Sequence, residues 1–139
     1  MQKVLVQAKK ASLVAAAVMF VAGCKGRGER LPAITVGQLA TQLKSADPPR
    51  LYDANGDRTR REYGVIPGAV LLPGSRDYAL DLLPASKAAR LVFYCASSWC
   101  GAAETAAQRA EEAGYMLVSV LPDGIKGWTE AGMPTQKPN

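Results

Sequence analysis

Between residues 91 and 114 the chain reads LVFYCASSWCGAAETAAQRAEEAG. Leu91–Tyr94 is a short run of apolar and aromatic residues, the strongest strand signal in the sequence. Ala102–Ala113 carries a helical pattern, and Gly114 suits the left-handed position just past a helix end. Alanines 102, 103, 106, 110 and 113 form a small-residue face on that helix, which lets it lie close against a sheet. A strand that feeds a helix through the loop Ala96–Gly101, with Cys95 closing the strand, is the unit from which parallel α/β sheets are built.

The same alternation extends in both directions. Thr35-Val36-Gly37-Gln38 fits a capping box, and Val36, Leu39, Ala40 and Leu43 recur at helical spacing, which predicts a helix over 36–45 ended by Pro48-Pro49. Residues 50–54 and 69–72 read as short strands, the second bounded by Pro-Gly pairs on both sides. Between them Asn55 to Val65 reads as a polar, basic loop with one helical turn through Arg61-Glu62-Tyr63. A helix is expected near 77–83, a strand at 116–121, a turn at Pro122-Asp123-Gly124 and a closing helix over 125–131. Continuous apolar strands alternating with helices predict a parallel sheet covered on both faces. No internal repeat is present.

Before this region, Lys3, Lys9 and Lys10 precede an uncharged apolar run from Ala11 to Gly23. That is the layout of a secretory signal, and the run is too short for a helix that must cross hydrocarbon with about 20 residues. Val21-Ala22-Gly23-Cys24 resembles a bacterial lipobox, in which cleavage before Cys24 leaves its thiol to be diacylglycerylated and anchored by more than one palmitate-like acyl chain. The expected organisation is a signal peptide over 1–23, lipidated Cys24 and a polar tether over 24–31, one domain over 32–135 and a tail over 136–139. The expected location is the cell envelope, on a membrane facing the periplasm or exterior. Lys25 after the cysteine favours the outer membrane in a Gram-negative host.

Composition narrows the chemistry. The chain has 139 residues, 17 Lys+Arg against 12 Asp+Glu, three cysteines and no histidine. Lys3, Lys9 and Lys10 account for three of the five net charges, so the basic balance reports export and not a polyanionic partner. With nine aromatics and no basic stripe, a nucleic-acid reader is not expected. Absence of imidazole excludes a Ser-His-Asp triad, a Cys-His dyad and any His-containing metal or haem site. No metal and no cofactor is expected. The cysteines are left as the main place for chemistry.

Cys95 stands where open parallel sheets bind ligands, beyond the carboxyl end of a strand and before a helix N-terminus. Loop N–H groups and the helix dipole there would lower its pKa and make it reactive; the alternative is an inert, buried strand-end cysteine. At this point the sequence resembles the rhodanese-like domain family. Leu51-Tyr52-Asp53, Glu62-Tyr63-Gly64-Val65-Ile66-Pro67-Gly68-Ala69, Val92-Phe93-Tyr94-Cys95, Ala113-Gly114-Tyr115 and Asp123 to Gly132 follow its motifs in order and spacing over about residues 32–135. The resemblance implies an α/β fold with a five-stranded parallel sheet flanked by helices on both faces. It also implies a sulfurtransferase whose Cys95 carries sulfane sulfur as a persulfide, which together with the lipobox gives an expected membrane-tethered sulfurtransferase. Ala96, Ser97, Ser98, Trp99 and Gly101 would bind the substrate, a small sulfur compound or a protein thiol or persulfide.

The departures are informative. The family's usual Gly-x-Arg after the cysteine is replaced by a longer, uncharged loop, and no basic residue occurs between Arg90 and Arg109. Glu104 in the first helical turn would repel a dianion such as thiosulfate. Gly101 stands where related phosphatases carry arginine, which argues against phosphatase activity. Asn55 and Val65 replace the family's arginine and histidine, so neither supplies charge to the site. Asp53 orients the loop or caps a turn, and Arg58, Arg60 and Arg61 form an anion-attracting lip or a solvated basic loop. Cys100 has four open readings: a resolving thiol, a disulfide partner of Cys95, the nucleophile itself, or a small loop residue. The alternative to an enzyme is a non-catalytic or redox-sensing module with a Cys95–Cys100 disulfide.

Overall fold

The structure, a computed structural model, describes residues 30–139. The expected lipobox and Cys24 lie outside the described residues. Four strands form one wholly parallel sheet: β1 (Arg50–Asp53), β2 (Val70–Leu71), β3 (Arg90–Tyr94) and β4 (Leu117–Leu121). Their order is β2-β1-β3-β4. β3 is central because its residues are apolar on both faces, so each face can be covered. Leu91 and Phe93 pack under α3 (Ala102–Glu112), while Val92 and Tyr94 pack under α1 (Val36–Gln42) and α4 (Gly124–Glu130). Cys95 continues the first set and so faces α3. Ala103, Ala106, Ala107 and Ala110 are all buried, and it is this small face that lets α3 sit close over the sheet.

The register lines up Leu71, Asp53, Tyr94 and Leu121 in one row across the sheet. The loops after these residues therefore form a single rim at the carboxyl edge, and backbone bonds stitch it: Leu72 N–H to Asp53 carbonyl (2.9 Å) and Ala54 N–H to Tyr94 carbonyl (2.9 Å).

Three expectations are corrected. The sheet has four strands, not five. The segment beside β4 is reduced to a bridge at Ala33, held by Ile34 N–H to Val120 carbonyl (2.8 Å) and Val120 N–H to Pro32 carbonyl (2.9 Å). It cannot lengthen, because Pro32 has no N–H to give and Thr35 already caps α1 with the expected capping box. Asn55–Val65 is not mainly loop: Asp57–Tyr63 is a two-turn helix, α2. The helix near 77–83 is a single 3₁₀ turn at Leu80–Leu82. Pro84 holds Leu83 extended (φ −87°, ψ 152°), and flanking groups are taken up elsewhere. The Tyr78 hydroxyl donates to Ala106 carbonyl (2.7 Å), Arg109 Nε to Tyr78 carbonyl (3.1 Å), and the Tyr52 hydroxyl to Leu82 carbonyl (3.1 Å).

Candidate active site

Two corners of the carboxyl rim are built in different ways. At the first, Asp53 ends β1 wholly buried, and its carboxylate accepts the Asn55 N–H (2.8 Å) and Arg60 Nε (3.1 Å). Arg60 also donates to the carbonyls of Asp53 (3.0 Å) and Leu72 (2.9 Å), so one guanidinium ties β1, β2 and α2 together. This is why residues 57–63 form a helix: it delivers Arg60 to a buried acceptor set, and tertiary bonding outweighs a weak local signal. Arg60 is therefore not part of a solvated lip, whereas Arg58 and Arg61 are exposed. Asp53 acts as a structural anchor. Next to it, burial and the Asp53 carboxylate push the Tyr94 hydroxyl far above the usual tyrosine range. That neutral hydroxyl accepts the Ile66 N–H (3.1 Å).

The second corner carries the sulfur. Cys95 follows β3 and is 2% exposed, and it is disulfide-bonded to the half-buried Cys100, with Cα atoms 6.3 Å apart. The intervening turn closes with Cys100 N–H to Ser97 carbonyl (3.0 Å), so that N–H is not turned toward the sulfur. Cys95 Sγ lies 3.2 Å from the Cys100 carbonyl oxygen. Ala96 and Ser97 are half-buried, Ser98 and Gly101 exposed, and Trp99 projects from the tip at 96% exposure. α3 starts immediately afterwards, directing its positive dipole end at this corner. Among the described residues no group of three or more His, Cys, Asp or Glu is placed to hold a metal ion.

The loop is pinned from the β4–α4 turn, a contact for which the sequence pattern indicates only a turn. Ile125 N–H donates to Cys95 carbonyl (2.8 Å) and Lys126 N–H to Ala96 carbonyl (3.1 Å). Gly124 makes this possible: its φ is +61°, and a Cβ there would stand 2.5 Å from the Ala96 carbonyl carbon. The Asp123-Gly124 pair was the available signal, since glycine is needed where one backbone closely approaches another. Three buried polar atoms near the rim lack protein partners: Asp53 Oδ2, Asn55 Nδ2 and Glu104 Oε2. Trp128 is core, 2% exposed, with Nε1 donating to Pro134 carbonyl (2.8 Å). A cleft of about 1200 Å³ between Leu43, Arg50, Pro67, Arg90 and Met133 opens at the opposite, amino edge of the sheet, far from the cysteines.

With this geometry in place, comparisons with known proteins are informative. The model of the rhodanese-like domain matches residues 35–131. Among solved structures, a Bacillus halodurans protein superposes with a TM-score of 0.65 at 19% identity, covering 77% of this chain and 77% of that one. A rhodanese-like domain protein from Staphylococcus aureus gives 0.55 at 21% identity, covering 76% of this chain and 99% of its own. A thiosulfate sulfurtransferase from Pseudomonas aeruginosa gives 0.63 at 22% identity over 78% of this chain but 21% of that longer one. None of the curated proteins matches. At these identities the structural likeness speaks for the fold.

Proposed function

This chain belongs to the rhodanese-like domain family; from that membership we propose that it is a carrier of sulfane sulfur working through a persulfide on Cys95, and from the lipobox-like residues 21–24 that it is tethered to a membrane. The observation that carries the reading is the position of Cys95: buried, immediately after β3, ahead of the N-terminus of α3. A thiolate there gains from the positive end of the α3 dipole, which favours the ionised form that a sulfur nucleophile requires. In the reduced protein the Cys95 thiolate attacks the outer sulfur of a persulfide R–S–SH. A sulfur–sulfur bond forms to Cys95, the old one breaks, and R–S⁻ leaves. The loop from 95 to 103 has no charged side chain, so nothing there pairs with a dianion. Neutral or singly charged persulfides fit this site better than thiosulfate, and Ala96, Ser97, Ser98, Trp99 and Gly101 would contact them. Cys24 would supply the lipid anchor that holds the domain at the cell envelope.

A second reading is supported by the disulfide itself. In it the domain is a non-catalytic or redox-sensing binding module whose Cys95 is closed off by Cys100. The two separate by mass spectrometry of the full chain in detergent, reduced, freed of reductant and exposed to a low-molecular-weight persulfide. The carrier reading expects one added sulfur atom on Cys95 whenever Cys100 is replaced by serine, and none after Cys95→Ser. An unmodified Cys95 in the reduced Cys100→Ser chain overturns it in favour of the binding module.

A further inference from the structure

Cys100 does more in this geometry than cover Cys95. The two residues are five apart, with Cα atoms at 6.3 Å, within the range that allows a sulfur–sulfur bond without backbone movement. Backbone bonds hold both ends: the Cys95 and Ala96 carbonyls on the α4 N–H groups, and the Cys100 N–H on Ser97. An external acceptor has no charged side chain in the loop to hold it. A thiol already held at bonding distance needs none, because the entropy of bringing the reactants together is lost on folding and not during reaction.

Resting on the carrier reading above, we propose that Cys100 is a built-in acceptor that turns the persulfide into hydrogen sulfide. The Cys100 thiolate attacks the inner sulfur, Sγ of Cys95, in Cys95–Sγ–SH. The Cys95–Cys100 sulfur–sulfur bond forms, the Sγ–SH bond breaks, and HS⁻ leaves, taking up the proton that Cys100 released. The sulfane sulfur is reduced by two electrons, and the two cysteine thiols are oxidised to the disulfide seen in the structure. A dithiol reductant then resets the pair by thiol–disulfide exchange. It enters at Cys100, the more exposed of the two residues, and leaves as its own disulfide. The balanced result is that one persulfide and one dithiol become one thiol, one hydrogen sulfide and one disulfide. The substrate class is therefore an organic persulfide, and the activity is that of a dithiol-dependent, sulfide-releasing persulfide reductase.

The test is a single turnover. The full chain in detergent is reduced, freed of reductant and mixed with glutathione persulfide, and sulfide, free thiols and protein mass are followed together. The wild type is expected to release about one sulfide per chain, lose both thiols and retain no sulfur adduct. Cys100→Ser is expected to keep the added sulfur on Cys95 and to release sulfide at least about tenfold more slowly, since the intramolecular advantage is gone. Cys100→Ala must behave as Cys100→Ser, with circular dichroism establishing that both are folded. If both wild type and Cys100→Ser hold a lasting adduct on Cys95, the resolving step is overturned and the carrier reading stands. Sulfide release from Cys100→Ser at the wild-type rate also overturns the resolving step. If neither variant of Cys100 ever takes up sulfur on Cys95, the carrier reading fails and the resolving step fails with it.

Discussion

The corner after β1 and the corner after β3 lie side by side on one rim, joined by the bond from Ala54 N–H to the Tyr94 carbonyl, yet they are locked by opposite means. The first is held by charge: Arg60 spans Asp53, its carbonyl and the Leu72 carbonyl, all buried. The loop of the second, residues 95–103, carries no charged side chain and is held by a disulfide and by the backbone of α4. The difference separates scaffold from chemistry. The guanidinium serves to fix the rim and is fully engaged there, so it is not free to bind an anionic substrate. The neighbouring loop has two cysteines and no charged side chain, so under the proposed function its chemistry rests on sulfur.

The largest expected effect comes from breaking the charged corner. Asp53→Ala leaves the buried Arg60 guanidinium only the exposed Asp57 carboxylate at 3.6 Å, and removing the buried partner of such a pair is expected to lower stability by about 3–5 kcal/mol. Urea unfolding measures it; a loss below about 1 kcal/mol would show that Asp57 and the two carbonyls suffice to hold the guanidinium. Next comes the support of the sulfur corner. Gly124→Ala puts a Cβ in a left-handed conformation and into the Ala96 backbone, with an expected loss of about 2–3 kcal/mol. The comparison sharpens on where that loss appears: proteolysis should find the Ala96–Gly101 loop loosened while the Asp53 corner stays protected.

These two corners also mark how far the sequence can be read. Leu91–Tyr94, the alanine face of α3 and the Thr35 capping box are local patterns, and each stands in the structure as the residues indicate. Position and pairing of Cys95 and Cys100 were legible as one of several options, since a separation of five residues permits a bridge without requiring it. What the pattern could not carry was contact at a distance. Arg60 reads as one of several basic residues until Leu72, twelve positions on, offers its carbonyl. The clamp from α4 onto Cys95 joins residues thirty apart, and only the demand for glycine at 124 hints at it. The fifth strand failed for a local reason that was available, the missing N–H of Pro32.

The smallest expected effect is on the disulfide. A loop closed over five residues restricts the unfolded chain only modestly, and the chain-entropy relation gives about 2 kcal/mol for it. Reduction should therefore lower the urea midpoint by about 1 M and leave a cooperatively folded domain, because α3 over β3 and the α4 clamp do not depend on the bond. The double variant Cys95→Ala with Cys100→Ala, compared with and without reductant, isolates the bond from any other effect of the reducing agent. This matters to function more than its size suggests. A sulfur carrier must remain folded in the reduced state, since the thiolate that accepts sulfur exists only there, whereas a structural staple has no such requirement. A loss near 2 kcal/mol with the fold intact is the outcome the proposed cycle requires. Loss of cooperative folding on reduction would make it part of the scaffold, and the two corners would then differ in the chemistry of their locks but not in their purpose.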